Sequence, residues 1–211
     1  MPDQFTEHLG WPYPDPDDPL GGINNTVEDL ATAAEADVVS IMRPLHSVLL
    51  DTAAETIRLE VPPGFAGLST YRVRGWFRCD ESSTVATTLR VRFNDHNALN
   101  AYRYSRIQQG ETSVTGTVGQ QDDFFALGVA LAAADAIGDE MSSLELTVFN
   151  TPRPRVHWHI SFTNAAGPVH RNIVGNGRVL NAAGPLESLE FFFNTGIEFV
   201  PGSYAELWRT T

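Results

Sequence analysis

The residues best suited to chemistry are two histidines separated by one residue, His157 and His159. In a β-strand, side chains at positions i and i+2 lie on the same face, so both imidazoles could reach one metal ion. A cupin-type site would also need a nearby carboxylate and a later histidine. No carboxylate follows closely, and only His170 comes later. We therefore favour exposed histidines and expect no metal and no cofactor, with a cupin-like metal enzyme as an alternative.

Other catalytic patterns are weak. The sequence contains no Gly-x-Ser-x-Gly elbow, no P-loop and no dinucleotide-binding fingerprint. The single cysteine, Cys79, is followed by two carboxylates, which disfavour a thiolate, and we expect it to be a small hydrophobic residue near a strand end. The acid pairs Asp122/Asp123 and Glu187/Glu190 could suit glycoside hydrolysis, but such surface pairs are usually solvated. We expect no catalytic centre.

One predicted strand is a candidate for carbohydrate binding. Tyr102, Tyr104 and Arg106 alternate along it and therefore share a face, which would combine two stacking rings with a forked donor. Burial of both tyrosines in the core is the competing interpretation, and we favour it.

The N-terminal segment differs in composition from the rest of the chain. Residues 1–42 hold nine of the 26 acidic residues and none of the 14 basic ones, all of which are arginine. Prolines in residues 1–22 exclude a helix or a central strand, while the aromatic side chains favour contact with a partner. We predict an extended docking arm over residues 1–22. Its docking residues are Trp11, Tyr13, Asp15, Asp17 and Asp18.

A short helix is predicted over residues 23–43. Asn25-Thr26 resembles a helix N-cap, and Pro44 ends the helix. Its apolar residues follow a heptad spacing: Val27, Ala31, Ala34, Val38 and Ile41. This helix either packs on its own domain or joins copies of the chain in a short parallel bundle, and we favour the bundle.

From residue 44 the hydrophobic period changes to two, which is typical of strands. The predicted strands are 45–51, 56–61, 69–79, 86–94, 99–108, 143–149, 155–164, 169–174, 186–194 and 197–208, while residues 124–137 are ambiguous between helix and strand. We therefore predict a mostly β fold: a jelly-roll-like antiparallel β-sandwich over residues 44–211, preceded by the arm and the helix.

Some large aromatic residues alternate onto the outer face of these strands. These aromatic residues are on the other strand face from the apolar neighbours that we expect to be buried; they are Phe149, Phe192 and Trp208. Contact with another copy of the chain or with its own helix or arm would cover such residues. We include Phe192 and Trp208 in the predicted oligomer interface.

Charge and hydropathy limit the classes of partner that the chain can have. A formal net charge of −12 disfavours nucleic acid. The sequence has no apolar run long enough to span a membrane and no secretory signal. We therefore expect that the chain does not insert into a membrane and that it is assembled in a cytoplasm.

Two stretches resemble bacteriophage virion proteins. The sequence GWPYPDPDDPLGGINNTVEDLATAAE (residues 10–35) resembles the opening of minor tail and tail-fibre-type proteins of actinobacterial phages. The sequence GIEFVPGSYAELWRTT (residues 196–211) resembles the final strands of phage β-sandwich tail and receptor-binding domains.

The resemblance implies a structural component of the phage tail, found in the virion and forming a homotrimer. Its arm would bind other virion proteins, and its β-sandwich head would recognise a host-surface glycan. A phage head fibre or capsid decoration protein with the same layout is the alternative. The family has no catalytic residues to transfer.

Overall fold

The computed structural model describes residues 4–5, 12–13, 43–65, 70–80, 87–110, 113–129, 131–132, 141–164, 169–180 and 184–210. The chain divides into two compact units, Met1–Arg43 and Pro44–Thr211. Fifteen strands are described. They are β1 (Gln4–Phe5), β2 (Pro12–Tyr13), β3 (His46–Leu49), β4 (Thr56–Glu60), β5 (Thr70–Cys79), β6 (Thr88–Phe93), β7 (Tyr102–Gln109), β8 (Val114–Asp122), β9 (Phe125–Val129), β10 (Leu131–Ala132), β11 (Ser142–Phe149), β12 (Arg155–Asn164), β13 (Val169–Val179), β14 (Ser188–Phe192) and β15 (Tyr204–Arg209).

In the first unit, β1 and β2 pair antiparallel, with Gln4 opposite Tyr13 and Phe5 opposite Pro12. The chain therefore reverses direction between these two strands, and the docking arm over residues 1–22 stays a prediction. A two-stranded pair has only edges, which is where a proline without an amide N–H can lie. The predicted helix lies outside the described residues, apart from Arg43. No helix among the described residues is long and apolar enough to cross a bilayer.

The second unit is built from two sheets that are almost entirely antiparallel. The large sheet has nine strands in the order β3-β15-β5-β11-β12-β13-β7-β8, with the short β10 parallel to β5. The small sheet has four strands in the order β4-β14-β6-β9. The predicted mostly β, antiparallel fold is confirmed and is consistent with a β-sandwich. The jelly-roll connectivity stays a prediction.

The core lies between the sheets because each strand alternates buried and exposed side chains. Phe77 of the large sheet stacks on Phe191 of the small sheet, with ring centroids 5.6 Å apart. A second aromatic cluster joins Tyr102 of β7 to Phe125 of β9 at 4.7 Å. Cys79, at the end of β5, is fully buried, as predicted.

Glycines on the inner face of the large sheet make room for these rings. A Cβ atom on Gly119 would lie 2.0 Å from Tyr104 Cζ, and one on Gly175 would lie 2.2 Å from Trp158 Cζ2. Glycine in a strand often marks such a close approach. These residues also weaken the local strand signal, which explains two errors of the sequence analysis.

The first error is β8, which the strand predictions omitted although the turn before it was placed correctly at Gln109-Gly110. The second is β13, which was predicted to stop at residue 174 because Asn176-Gly177 is a typical turn pair. It continues to Val179 with Gly177 in mid-strand. The last predicted strand, 197–208, is shorter in the structure, because Pro201-Gly202 forms a turn and β15 begins at Tyr204.

Candidate ligand-binding groove

A groove of about 710 Å³ lies on the outer face of the large sheet, around the connection between β11 and β12. It is lined by Phe149, Thr151, Pro152, Arg153, Arg155, His157 and Arg178. The lining contains three arginines and no carboxylate, which makes the groove basic.

The strand register places these arginines side by side. Phe149, Arg155 and Arg178 lie directly opposite one another on β11, β12 and β13. Arg103 of β7 lies opposite Arg178 and continues the line beyond the groove. Neighbouring strands are about 4.8 Å apart, so three arginine Cα atoms fall within about 10 Å. We call Arg155, Arg178 and Arg103 the arginine row.

The arginine row is exposed and has no carboxylate partner among the described residues. The acidic residue closest to it in register on this face, Glu145, already accepts a hydrogen bond from Arg72 Nη2 at 2.8 Å. Arg74 Nε lies 4.0 Å from the same carboxylate oxygen. The guanidinium groups of the row therefore keep their full donor capacity for a ligand.

The loop that carries Arg153 is fixed to the sheet at both ends. The amide of Leu186 donates to Asn150 Oδ1 at 2.9 Å, and Asn150 is buried. The amide of Val179 donates to the carbonyl oxygen of Pro154 at 2.9 Å. Because both anchors are hydrogen bonds from the backbone amides of buried residues, one to a side chain and one to a backbone carbonyl, this wall of the groove is preorganised.

An aromatic pair forms another wall. The Phe149 ring is 39% exposed and contacts the His157 ring edge to face, with centroids 5.5 Å apart. Exposed rings pack on the apolar faces of ligands, whereas guanidinium groups bind carboxylates and phosphates through two parallel hydrogen bonds. The groove thus combines the two kinds of contact that the sequence analysis had assigned to another strand.

On that strand, Tyr102, Tyr104 and Arg106 were the candidate glycan contacts, with burial of both tyrosines as the favoured interpretation, and they form no exposed platform. Tyr102 is fully buried and Tyr104 is 7% exposed, since both face the small sheet. The hydroxyl of Tyr102 donates to the carbonyl oxygen of His96 at 2.8 Å, and Arg106 Nη1 donates to the carbonyl oxygen of Ala126 at 2.9 Å. Burial raises the pKa of both tyrosines to about 12 and lowers the pKa of Arg106. The favoured core interpretation is confirmed.

The two histidines lie on the exposed outer face of β12, as predicted. Glu145 is opposite His159 but is engaged by Arg72. Within the described part of the chain, no group of three or more His, Cys, Asp or Glu residues could hold a metal ion. The side chain of His170 lies outside the description.

The outer face of the small sheet carries Phe192, which its own chain partly covers. The guanidinium carbon of Arg92 lies 4.4 Å from the centre of the Phe192 ring, and Phe124 contacts that ring edge to face at 5.9 Å. Trp208, on the large sheet, is half-buried. The assignment of Phe192 and Trp208 to an oligomer interface stays a prediction.

One member of each acid pair considered for hydrolysis contacts Arg92 on the same small-sheet surface. Arg92 Nη2 lies 2.8 Å from Asp123 Oδ2, and Arg92 Nη1 lies 3.8 Å from Glu190 Oε2. Both carboxylates therefore neutralise one arginine, which is a structural role.

The remaining predicted site residues lie outside the described side chains. They are Trp11, Tyr13, Asp15, Asp17, Asp18, Val27, Ala31, Ala34, Val38 and Ile41, of which only Tyr13 has a described backbone. Their roles in docking and oligomerisation stay predictions.

Sequence analysis placed Arg155 and His157 on a solvent-facing strand face but did not recognise the groove. The alternation of β12 was a signal for these two residues. Arg178 was not assigned to a strand because β13 was predicted to end at residue 174. The alignment of Arg103 with Arg178 could be recognised only from the strand register.

No family model matches the chain, and no curated protein matches it in sequence. Among solved structures, the chain is similar to the CBM2 module of the evolved Dit of Lactobacillus casei BL23 phage J-1. The sequence identity is 7%, the similarity covers 79% of this chain and 76% of that chain, and the TM-score is 0.23. A similarity at that level carries no argument about fold or function.

Proposed function

We propose that the chain is a structural component of a bacteriophage tail whose β domain binds a glycan on the host surface. The virion half of this proposal rests on the resemblance of residues 10–35 and 196–211 to phage tail proteins. The binding half rests on one observation, the groove in which an exposed ring meets arginines that have no carboxylate partner among the described residues. The proposal assigns no reaction to the chain, since a binding module needs affinity and display only.

The same proposal assigns roles to the first 43 residues. Residues 1–22 attach the chain to another virion protein, to whose basic surface the acidic and aromatic residues of the segment are complementary. Residues 23–43 join three copies of the chain, and the number three comes from the resemblance. The β domain is then displayed outward, which leaves the groove accessible.

Labelling of the particle tests the virion role. Phage particles that carry the gene would be labelled with an antibody against the β domain and imaged. We expect label on the tail. Label on the head would favour a head fibre or decoration protein, and particles without the chain would overturn the proposal.

Deletion of residues 1–22 tests the docking role. We expect the shortened chain to melt at nearly the same temperature as the full chain but to be lost from particles, because the deleted residues belong to the Met1–Arg43 unit. A large fall in melting temperature would show instead that these residues are part of the folded core. Normal incorporation would rule out docking through this segment.

A further inference from the structure

We propose that the ligand of the groove is an anionic glycan, a polysaccharide that carries carboxylate or phosphate groups at intervals along its chain. This inference rests on the proposed function, because it names the class of glycan that the β domain would bind. The arginine row supplies the charge recognition, Arg153 extends it on the loop, and Phe149 supplies an apolar face.

The two sheets of the domain carry their charged residues in contrasting patterns. On the small sheet, Glu190 lies directly between Arg58 and Arg92, so charges alternate across the strands. On the large sheet, Arg155, Arg178 and Arg103 lie in a line with no acidic residue between them. Like charges directly opposite one another destabilise a sheet. A ligand with negative groups would remove this repulsion when it binds.

The spacing of the arginine row suits an extended, linear ligand. The arginine row runs across the strands, and the groove adds Arg153 at one end. Guanidinium groups separated by about one strand spacing match negative groups that recur along an extended polymer. The groove is bordered by exposed side chains along its length, so a long ligand can enter and leave it without being enclosed.

The groove suits a glycan better than a nucleic acid. Double-stranded DNA carries one charge per about 1.7 Å of its axis, and residues 43–211, in which 17 acidic residues outnumber 14 arginines, repel such a dense polyanion more than a sparsely charged one. A glycan with one charge per sugar or per repeat is repelled less and also offers apolar sugar faces to Phe149. The ring and the arginines together therefore favour the glycan.

Binding of defined polymers to the full-length chain tests the inference. The probes are polygalacturonate for carboxylates, phosphomannan for phosphates, and mannan as the neutral counterpart of phosphomannan. Single-stranded DNA and a peptide of residues 1–22 are included as competitors. Affinity would be measured by calorimetry at several salt concentrations.

The test variant is Arg155→Gln/Arg178→Gln. The control is Arg58→Gln/Arg72→Gln, which removes the same charge from arginines that are paired with carboxylates. We expect the test variant to lose about tenfold or more of the affinity for an anionic polymer, since each guanidinium donates charge-assisted hydrogen bonds. The control should change it by no more than about twofold, because neither Arg58 nor Arg72 lines the groove. Circular dichroism would verify that both variants are folded.

The choice of polymers and variants distinguishes results that support the inference from results that overturn it. Preference for polygalacturonate or for phosphomannan would identify the anionic group, and weaker binding at higher salt would support the inference. The inference would be overturned if the chain bound mannan as tightly as the anionic polymers, bound DNA more tightly, or bound neither anionic polymer. It would also be overturned if the peptide displaced the polymer, or if the control variant lost as much affinity as the test variant. Particle labelling is independent of these results, so the inference can fail while the virion role stands.

Discussion

At the scale of single residues, the arginine row should cost the domain stability when no ligand is bound. We predict that Arg178→Gln raises the free energy of unfolding by roughly 0.2–1 kcal/mol, because it removes one of the opposed like charges. Urea titrations at low and high salt would measure this. The gain should shrink at high salt, since ions screen exposed charges.

Arg58→Gln is the control for this substitution, because Arg58 contacts Asp95 and Glu60. It should leave stability unchanged or lower it slightly. A destabilised Arg178→Gln variant, or a gain that does not depend on salt, would contradict the predicted repulsion.

Tyr102 makes the stability of the domain depend on alkaline pH. Burial raises its pKa from 10.0 to about 12 in the folded state, so the neutral hydroxyl is favoured by folding. This contribution is fully present below pH 10 and is lost as the pH rises from about 10 to about 12. We predict that the free energy of unfolding falls across this window, and that Tyr102→Phe flattens part of the fall.

The measurement for Tyr102 is a series of urea titrations between pH 8 and about pH 12, with Tyr104 left in place as a second buried titrating group. Because the variant also loses the hydrogen bonds to His96 and Phe93, its stability below pH 10 should be lower throughout. If the free energy of unfolding falls with pH at the same slope in the unmodified chain and in Tyr102→Phe, Tyr102 does not titrate in this window.

At the scale of the elements, β8 offers a matched pair of glycines. A Cβ atom on Gly119 would lie 2.0 Å from the Tyr104 ring, whereas one on Gly116 would meet no atom within 4 Å. We predict that Gly119→Ala lowers the free energy of unfolding by about 1–3 kcal/mol through overpacking. Gly116→Ala should change it by no more than about 0.5 kcal/mol.

Both variants would be compared by thermal and urea unfolding. Similar effects of the two substitutions would mean that β8 does not pack on Tyr104 as described. A strong destabilisation by Gly116→Ala alone would place the buried face of β8 on the opposite side.

At the scale of the whole molecule, charged substitutions in the helix should dissociate the predicted trimer. We expect Val38→Asp/Ile41→Asp to convert a trimer to a monomer, because an unpaired charge in an apolar seam is costly. Val39→Asp, one residue off the heptad spacing, is the control and should stay trimeric. Light scattering of the full chain gives the mass directly, and a monomeric unmodified chain would end this hypothesis.

How much of this molecule could be predicted from its sequence depends on how local each feature is. The alternation of β12 and the burial of Val156, Trp158 and Ile160 followed from the period of two. The turn at Asn94-Asp95 followed from residue types that tolerate a positive φ, and both residues adopt one. These features depend only on neighbours along the chain, so the sequence by itself determined them.

Only the tertiary structure decided which strands are neighbours and in which register. Sequence patterns missed β8 and the second half of β13 because their glycines make room for rings on other strands: Tyr104 against Gly119, Trp158 against Gly175 and Phe125 against Gly177. The burial of Tyr102 and the alignment of Arg155 with Arg178 likewise depend on the packing of distant segments. A strand pattern tells which residues share a face, but the contacts across the sheet are fixed by how the whole core packs.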